Sequence, residues 1–312
     1  MSGSSGGFQR PFRPRKDLLN ELLRRANAGV DSSVYTSKVN SFLQDILQEY
    51  NGRDVEAIRR HLETIKKALE RDIEGTIDLL FGGSVKKHTF VDGLSDVDTL
   101  ALIDDTSLEG KSPSEILGYF AKRLRQRLPH TEISIGKLAI TIRFSDGHVI
   151  QILPTLRTKE GLRIATPQGD RWSNVVRPDA FAKKLTAVNR DCGGRVVPVV
   201  KLFKVLQSNL PNDAQLSGYH IESLAIEAFK GYTGNTNYKE MLIHMCDRAA
   251  ELVKKPIMDR TGQSLYVDEY LGPSGSGARL RISAFLSRLA TRMRVADQNY
   301  TIAVWEELFG NE

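Results

Sequence analysis

Cysteine is nearly absent: Cys192 and Cys246 stand alone among 312 residues. That count excludes a disulfide scaffold and a cysteine-rich zinc site. No run approaches the about 20 apolar residues needed to cross a bilayer, and the N-terminus lacks the apolar core of a secretory signal. A cytoplasmic protein without a membrane partner is expected. The six histidines form no HExxH and no zinc-protease spacing, and no GxSxG elbow supports a serine hydrolase. Glu109-Gly110-Lys111-Ser112 looks like the end of a P-loop, but Asp105 stands where that loop needs glycine, so a surface turn is expected. No arginine-rich helix demands a macromolecular polyanion. What remains is an ordinary globular balance, 40% hydrophobic and 26% charged, with a net charge of +6 that permits an anionic ligand such as a nucleotide.

The apolar period changes along the chain. Residues 1–15, small and polar and then basic and Pro-interrupted, read as a flexible leader. Val39, Phe42, Leu43, Ile46, Leu47 and Tyr50 make a helical stripe over 36–50, and Val55, Ile58, Leu62, Ile65, Leu69 and Ile73 make a second. Ile77 to Phe81 and Val97 to Ile103 are short enough to be strands, and 113–128 is helical. Alternation through Ile133, Ile135, Leu138, Ile140, Ile142 and Phe144 leads into an Asp146-Gly147 hairpin turn and a return strand VIQILP, halted by Pro154. From about 176 the pattern is helical again, with PSGSG at 273–277 read as a flexible linker. The class is therefore α+β: a mixed-sheet lobe with N-terminal helices over 16–170, then a helical lobe over 171–312.

Asp96 and Asp98 open the strand beginning at Val97. Residues two apart on a strand share a face, with Cα atoms about 6.6 Å apart. Two carboxylates at about 4 Å repel by about 4 kcal/mol at an effective dielectric near 20. A divalent cation turns that repulsion into attraction, and Mg²⁺ takes carboxylate oxygens while leaving room for phosphate and water. Just upstream, Gly82-Gly83-Ser84 supplies the complement: backbone N–H groups that can approach a phosphate closely, and a hydroxyl. A phosphate cradle beside a paired-acid metal site describes a nucleotidyl-transfer centre.

The run GGS, a spacer, then SDVD and an apolar strand resembles the polymerase-β-like nucleotidyltransferases. PVVKLFK, LSGYHIESLAIEAF and LYVDEYLGPSGSGARLRISAFLSRL are similar to the helical lobe of the cyclic GMP–AMP synthase and oligoadenylate synthetase branch, and most of all to its bacterial arm, the CD-NTases, over about residues 75 to 290. The resemblance implies a polymerase-β-like lobe with a mixed sheet plus a C-terminal helical lobe. It implies Mg²⁺, with Mn²⁺ as an alternative, on Asp96 and Asp98, and the donor triphosphate on Gly82, Gly83 and Ser84. Lys201 would contact the same phosphates, with Lys204 a turn further on as a weaker candidate. Tyr219 would stack on a base and Ser217 would lie near the triphosphate or sugar. Without the resemblance, both lysines read equally as solvated helix residues, and Tyr219 with His220 as a satisfied core pair. The implied substrates are NTPs, ATP or GTP or both. The implied product is a cyclic di- or trinucleotide that activates a downstream effector in antiphage defence, with a regulatory protein as a further partner and no stable nucleic-acid partner.

One position departs from the family. The third metal carboxylate, three residues before Pro154, is replaced by Gln151, which by alternation faces with Val149 and Leu153. An amide oxygen can ligate a hard cation but brings no charge and accepts no proton. Three readings stay open: two acids with a neutral ligand, a substitute acid from a neighbouring element, or a metal-poor pseudoenzyme, which would act as a catalytically silent nucleotide sensor. A template-independent transferase acting on RNA or protein is a further alternative.

Overall fold

The computed structural model describes residues 16–310 apart from 52–54, 72, 76, 82–83, 85–86, 92–96, 104–105, 109, 167–168, 177 and 260–265; for 16–31, 55 and 178 it describes the backbone alone. Helix α1 runs Lys16–Glu49 and α2 Val55–Glu70. The sheet follows: β1 Asp78–Phe81, β2 Val97–Leu102, β3 Glu132–Ile135, β4 Ile140–Arg143, β5 Val149–Thr158 and β6 Gly161–Arg163, with α3 Pro113–Arg127 between β2 and β3. Its order is β1-β2-β5-β4-β3, with β6 on β5. The sheet is mixed, since β2 and β5 are parallel and the other pairs antiparallel.

Period-two alternation sorts the faces. Val97, Thr99 and Ala101 of β2, Ile140 and Ile142 of β4, and Ile150 and Ile152 of β5 are buried. The apolar ones among them pack against Ile58, Ile65 and Leu69 of α2 and Ile116, Phe120 and Leu124 of α3. Asp98 and Gln151 alternate to the other face, half-buried. Ser112, in the turn that resembled a P-loop, caps α3: its hydroxyl accepts from Glu115 N at 3.3 Å, and Ser112 N donates to Glu115 Oε2 at 2.8 Å.

Strand β5 does not halt at Pro154. It continues to Thr158, with Pro154 in register with Ala101 of β2. The pairing with β4 ends at Ile152, so the missing N–H of Pro154 deprives no neighbour on that side.

The second core is helical. It is built by α4 Pro178–Asp191, α5 Val196–Ser208, α6 Gly218–Ala228, α7 Tyr238–Leu252, α8 Gly277–Asn299 and α9 Ala303–Leu308. The sequence expectation grouped the N-terminal helices with the sheet lobe and had helix 36–50 span both lobes; Tyr35, Val39, Leu43, Ile46 and Leu47 of α1 bury into this helical core. Each such burial contributes about 1.5–3 kcal/mol, and Trp305 of α9 ties the arrangement by donating Nε1–H to Tyr35 Oη at 2.8 Å. The PSGSG segment is a capped turn rather than a free linker: Gly275 N donates to Lys254 O at 2.9 Å, and Ser276 caps α8. Among the described residues no helix is long and apolar enough to cross a membrane.

Candidate active site

A cleft of about 710 Å³ lies between the sheet face that carries Asp98 and the helices α5 and α6. From the sheet side Ser84, Asp98 and Gln151 line it; from the helical side come Lys204, Ser217 and Tyr219. Asp98 is the direct register partner of Gln151 across the parallel β2–β5 pair, and Thr141 of β4 flanks Gln151 on its other side. Two oxygen-bearing side chains thus sit side by side on the cleft floor. Gly82, Gly83 and Asp96 lie outside the described residues.

The two lysines of α5 part company. Lys204 lines the cleft, whereas Lys201 does not: its Nζ donates to Asn51 Oδ1 at 2.5 Å in a separate hollow with Gln44, His88 and Tyr238. At about 100° per residue, three positions turn Lys201 about 60° away from Lys204 around the helix. The reason the pattern did not separate them is that α5 is buried nearly all round.

Lys204 is held by a buried acid. Its Nζ donates to Glu222 Oε1 at 3.0 Å and to Thr89 O at 2.9 Å. Glu222, on α6, also accepts from the Thr89 hydroxyl and pairs with Lys87. Glu222 is 1% exposed and Lys204 7%. Burial pushes the Lys204 ammonium below its ordinary pKa, against the pull of Glu222. Burial alone would push the Glu222 carboxyl up, but the Lys87 and Lys204 charges and the hydrogen bonds from Lys87 and Thr89 outweigh it and hold it below the usual range. The cluster also joins the lobes, because Thr89 N donates to Ser84 O at 2.9 Å while Glu222 belongs to the helical side. His88, between Lys87 and Thr89, takes a positive φ of 59°, a conformation uncommon outside glycine.

The start of α6 supplies the opposite wall. Ser217 caps the helix, accepting from His220 N at 3.2 Å. Gln207 clamps the preceding turn, donating to Leu216 O at 2.8 Å and accepting from Leu216 N at 2.9 Å. A Cβ on Gly218 would lie 3.4 Å from Lys204 Nζ, so the absence of a side chain there leaves the ammonium open to the cleft. The Tyr219 ring packs on Phe181 at 4.7 Å between centroids, with Lys87 Nζ 4.9 Å from the Phe181 ring and 5.5 Å from that of Tyr219. Its hydroxyl donates to Asp259 Oδ1 at 2.7 Å.

Behind this wall His220 is fully buried, with Nδ1 2.9 Å from Tyr270 Oη, and its pKa is lowered to about 4, chiefly by burial. Asp268 and Arg279, both buried, pair at 2.6 Å beside it. His220 is therefore part of the support and Tyr219 part of the surface.

Lys87, Glu222 and Phe181 escaped the sequence reading. Glu222 carried a signal: α6 is apolar and buried on nearly every side, and a carboxylate there needs a partner. The sequence does not say which lysines supply it, and Lys87 lies far away along the chain.

No family model matches the chain. A cyclic AMP-AMP-AMP synthase from an Acinetobacter species is 22% identical over 272 residues, which span 75% of this chain and 72% of that protein. Among solved structures, the Bradyrhizobium diazoefficiens CD-NTase CdnG in complex with GTP superposes with a TM-score of 0.67 at 14% identity, covering 88% of this chain and 96% of the other. E. coli MS115-1 CdnC with ATP gives a TM-score of 0.64 at 16% identity over 88% and 97%. These likenesses bear out the resemblance to the CD-NTase branch and the α+β fold with its mixed sheet.

Proposed function

We propose that this chain, which carries the CD-NTase fold, is a divalent-metal-dependent nucleotidyltransferase that joins NTPs into a cyclic di- or trinucleotide. The observation that carries this reading is the convergence of Asp98, Gln151, Ser84, Lys204, Ser217 and Tyr219 on one cleft. A triphosphate lying there would meet the Ser84 hydroxyl, the N-terminus of α6 at Ser217 and Gly218, and the ammoniums of Lys204 and Lys87. The Tyr219 ring, backed by the buried Phe181, offers an apolar platform for a base.

Asp98 and the Gln151 carbonyl are hard oxygen donors on adjacent strands, which suits Mg²⁺ or Mn²⁺, with Asp96 as the expected third ligand. Bound there, the cation would neutralise phosphate charge and lower the pKa of an attacking hydroxyl. In the reaction a ribose 2′- or 3′-oxygen forms a bond to the α-phosphorus, the α–β bridging bond breaks, and pyrophosphate leaves with that electron pair. Gln151 cannot take the hydroxyl proton, and Glu222 is committed to Lys87, Lys204 and Thr89. Of the acids described in the cleft, that leaves Asp98 to accept it. Catalysis rests on positioning and charge neutralisation.

The relatives' activity supports ATP or GTP as substrates. By the same resemblance, the product would activate a separate effector in antiphage defence, with a regulatory protein controlling synthesis, in the cytoplasm. Gln151 specifically favours one second reading, a nucleotide sensor that binds without turnover. Mass analysis of products from all four NTPs with Mg²⁺ or Mn²⁺ decides. Small, phosphatase-resistant products are expected, and Asp98→Ala abolishes them; unchanged product from that variant would remove the metal-site argument. Tight NTP binding without pyrophosphate release supports the sensor, and label appearing only on added RNA or protein supports a macromolecular acceptor.

A further inference from the structure

We propose that His61, Asp146 and His148 form a binding site for one transition-metal cation, with Zn²⁺ the ion it fits, outside the nucleotide cleft. His61 comes from α2, and Asp146 and His148 from the turn between β4 and β5, so the fold joins residues 85 positions apart. His61 Nε2 lies 2.7 Å from Asp146 Oδ2, and His148 Nδ1 lies 3.1 Å from Asp146 Oδ1. All three ligand atoms fall within 4.8 Å of one another. A tetrahedral centre with bonds of about 2.1 Å has ligand–ligand edges of about 3.4 Å. The two measured contacts, 2.7 and 3.1 Å, fall short of that edge, so the side chains must open by a few tenths of an ångström to admit the ion.

The donors are held in place. The His61 ring stacks on Phe144 at 3.7 Å and 20°. The turn is closed by Phe144 N donating to His148 O at 2.9 Å and by Gly147 at φ +90°, where a larger residue would be strained. His148 N donates to Asp146 Oδ1 at 3.2 Å, which orients the carboxylate. His148 Nδ1 is buried and faces Asp146 Oδ1 at 3.1 Å. The nitrogen thus points at the carboxylate that His61 also contacts, where one cation could be shared by all three. Two imidazoles and a carboxylate select Zn²⁺, Co²⁺ or Ni²⁺ over Mg²⁺, which separates this site chemically from the cleft. Asp146 is 44% exposed, which leaves a position for water. A cation here would pin α2 to the turn that opens β5, the strand bearing Gln151.

The test uses the full chain stripped with chelator and titrated with Co²⁺, whose visible absorption reports ligand geometry, followed by displacement with Zn²⁺. One Co²⁺ per chain is expected, displaced by one Zn²⁺. His61→Ala and His148→Ala should each weaken binding beyond the about 100-fold that loss of a mere supporting group costs. Asp98→Asn should leave the titration unchanged. His61→Gln and His148→Gln replace the corresponding alanine variants if circular dichroism shows misfolding. No stoichiometric binding by the wild type would show a His–Asp–His hydrogen-bonded pin and overturn the proposal. Binding that survives the histidine variants, or that Asp98→Asn removes, would overturn it equally.

Discussion

Glu222→Gln tests the buried charge cluster that shapes the cleft. Gln keeps the size and one oxygen acceptor but deletes the negative charge that faces Lys204 at 3.0 Å and pairs with Lys87. The two lysine side chains are 7% and 12% exposed, so neither ammonium regains full hydration. Removing one partner of a buried ion pair costs about 3–5 kcal/mol, out of a typical total stability of about 5–15 kcal/mol. The deficit also depends on pH. Burial already depresses the Lys204 pKa below 10.5, and loss of Glu222 depresses it further. A lysine with a folded pKa below its unfolded value destabilises fully at low pH, and the penalty fades as pH rises toward the unfolded value. Urea denaturation of wild type and variant, at about pH 7 and about pH 9.5, should therefore show a gap of several kcal/mol that narrows at the higher pH. A loss below about 1 kcal/mol at both pH values, the size of an exposed pair, would refute the reasoning.

Other consequences can be checked on the same protein. Lys204→Ala should raise KM for NTP by about 10–100-fold, the worth of a charged hydrogen bond of about 1.5–3 kcal/mol, while Lys201→Ala should change it by less than about threefold; steady-state kinetics compare them. Tyr219→Ala should weaken nucleotide affinity by about 10–100-fold in equilibrium dialysis, from the about 1–3 kcal/mol of a stacked base. His220, with its pKa lowered to about 4, must stay neutral in the folded state. Its contribution is complete above its ordinary value of 6.5 and is lost as pH falls toward 4, because the unfolded chain binds the proton first. Denaturation midpoints across that window should fall more steeply for wild type than for His220→Gln.

The sheet was largely legible because one face is buried: alternation marked Val97, Thr99 and Ala101 against Asp98, and Ile150 and Ile152 against Gln151. The same pattern put Gln151 on the face that Asp98 occupies, and strand register then makes them neighbours. What the pattern could not convey is partnership. The stripe on α1 announces burial without saying against which core, and it lies with α5 and α7 rather than with the sheet. Pro154 signals a strand end only where an adjacent strand needs its N–H, and β4 has already stopped. Lys201 and Lys204 differ by a rotation about a helix buried on most sides, so composition around them is alike. Lys87 meets Glu222 only after the two lobes come together, and His61 meets His148 only once α2 lies along the sheet.

The most direct measurement is a crystal structure of the chain with a non-hydrolysable NTP and Mg²⁺. The account expects the triphosphate between Ser84, Lys204 and Ser217, with the cation against Asp98 and Gln151. Nucleotide bound elsewhere, with Asp98 facing only water, would contradict it.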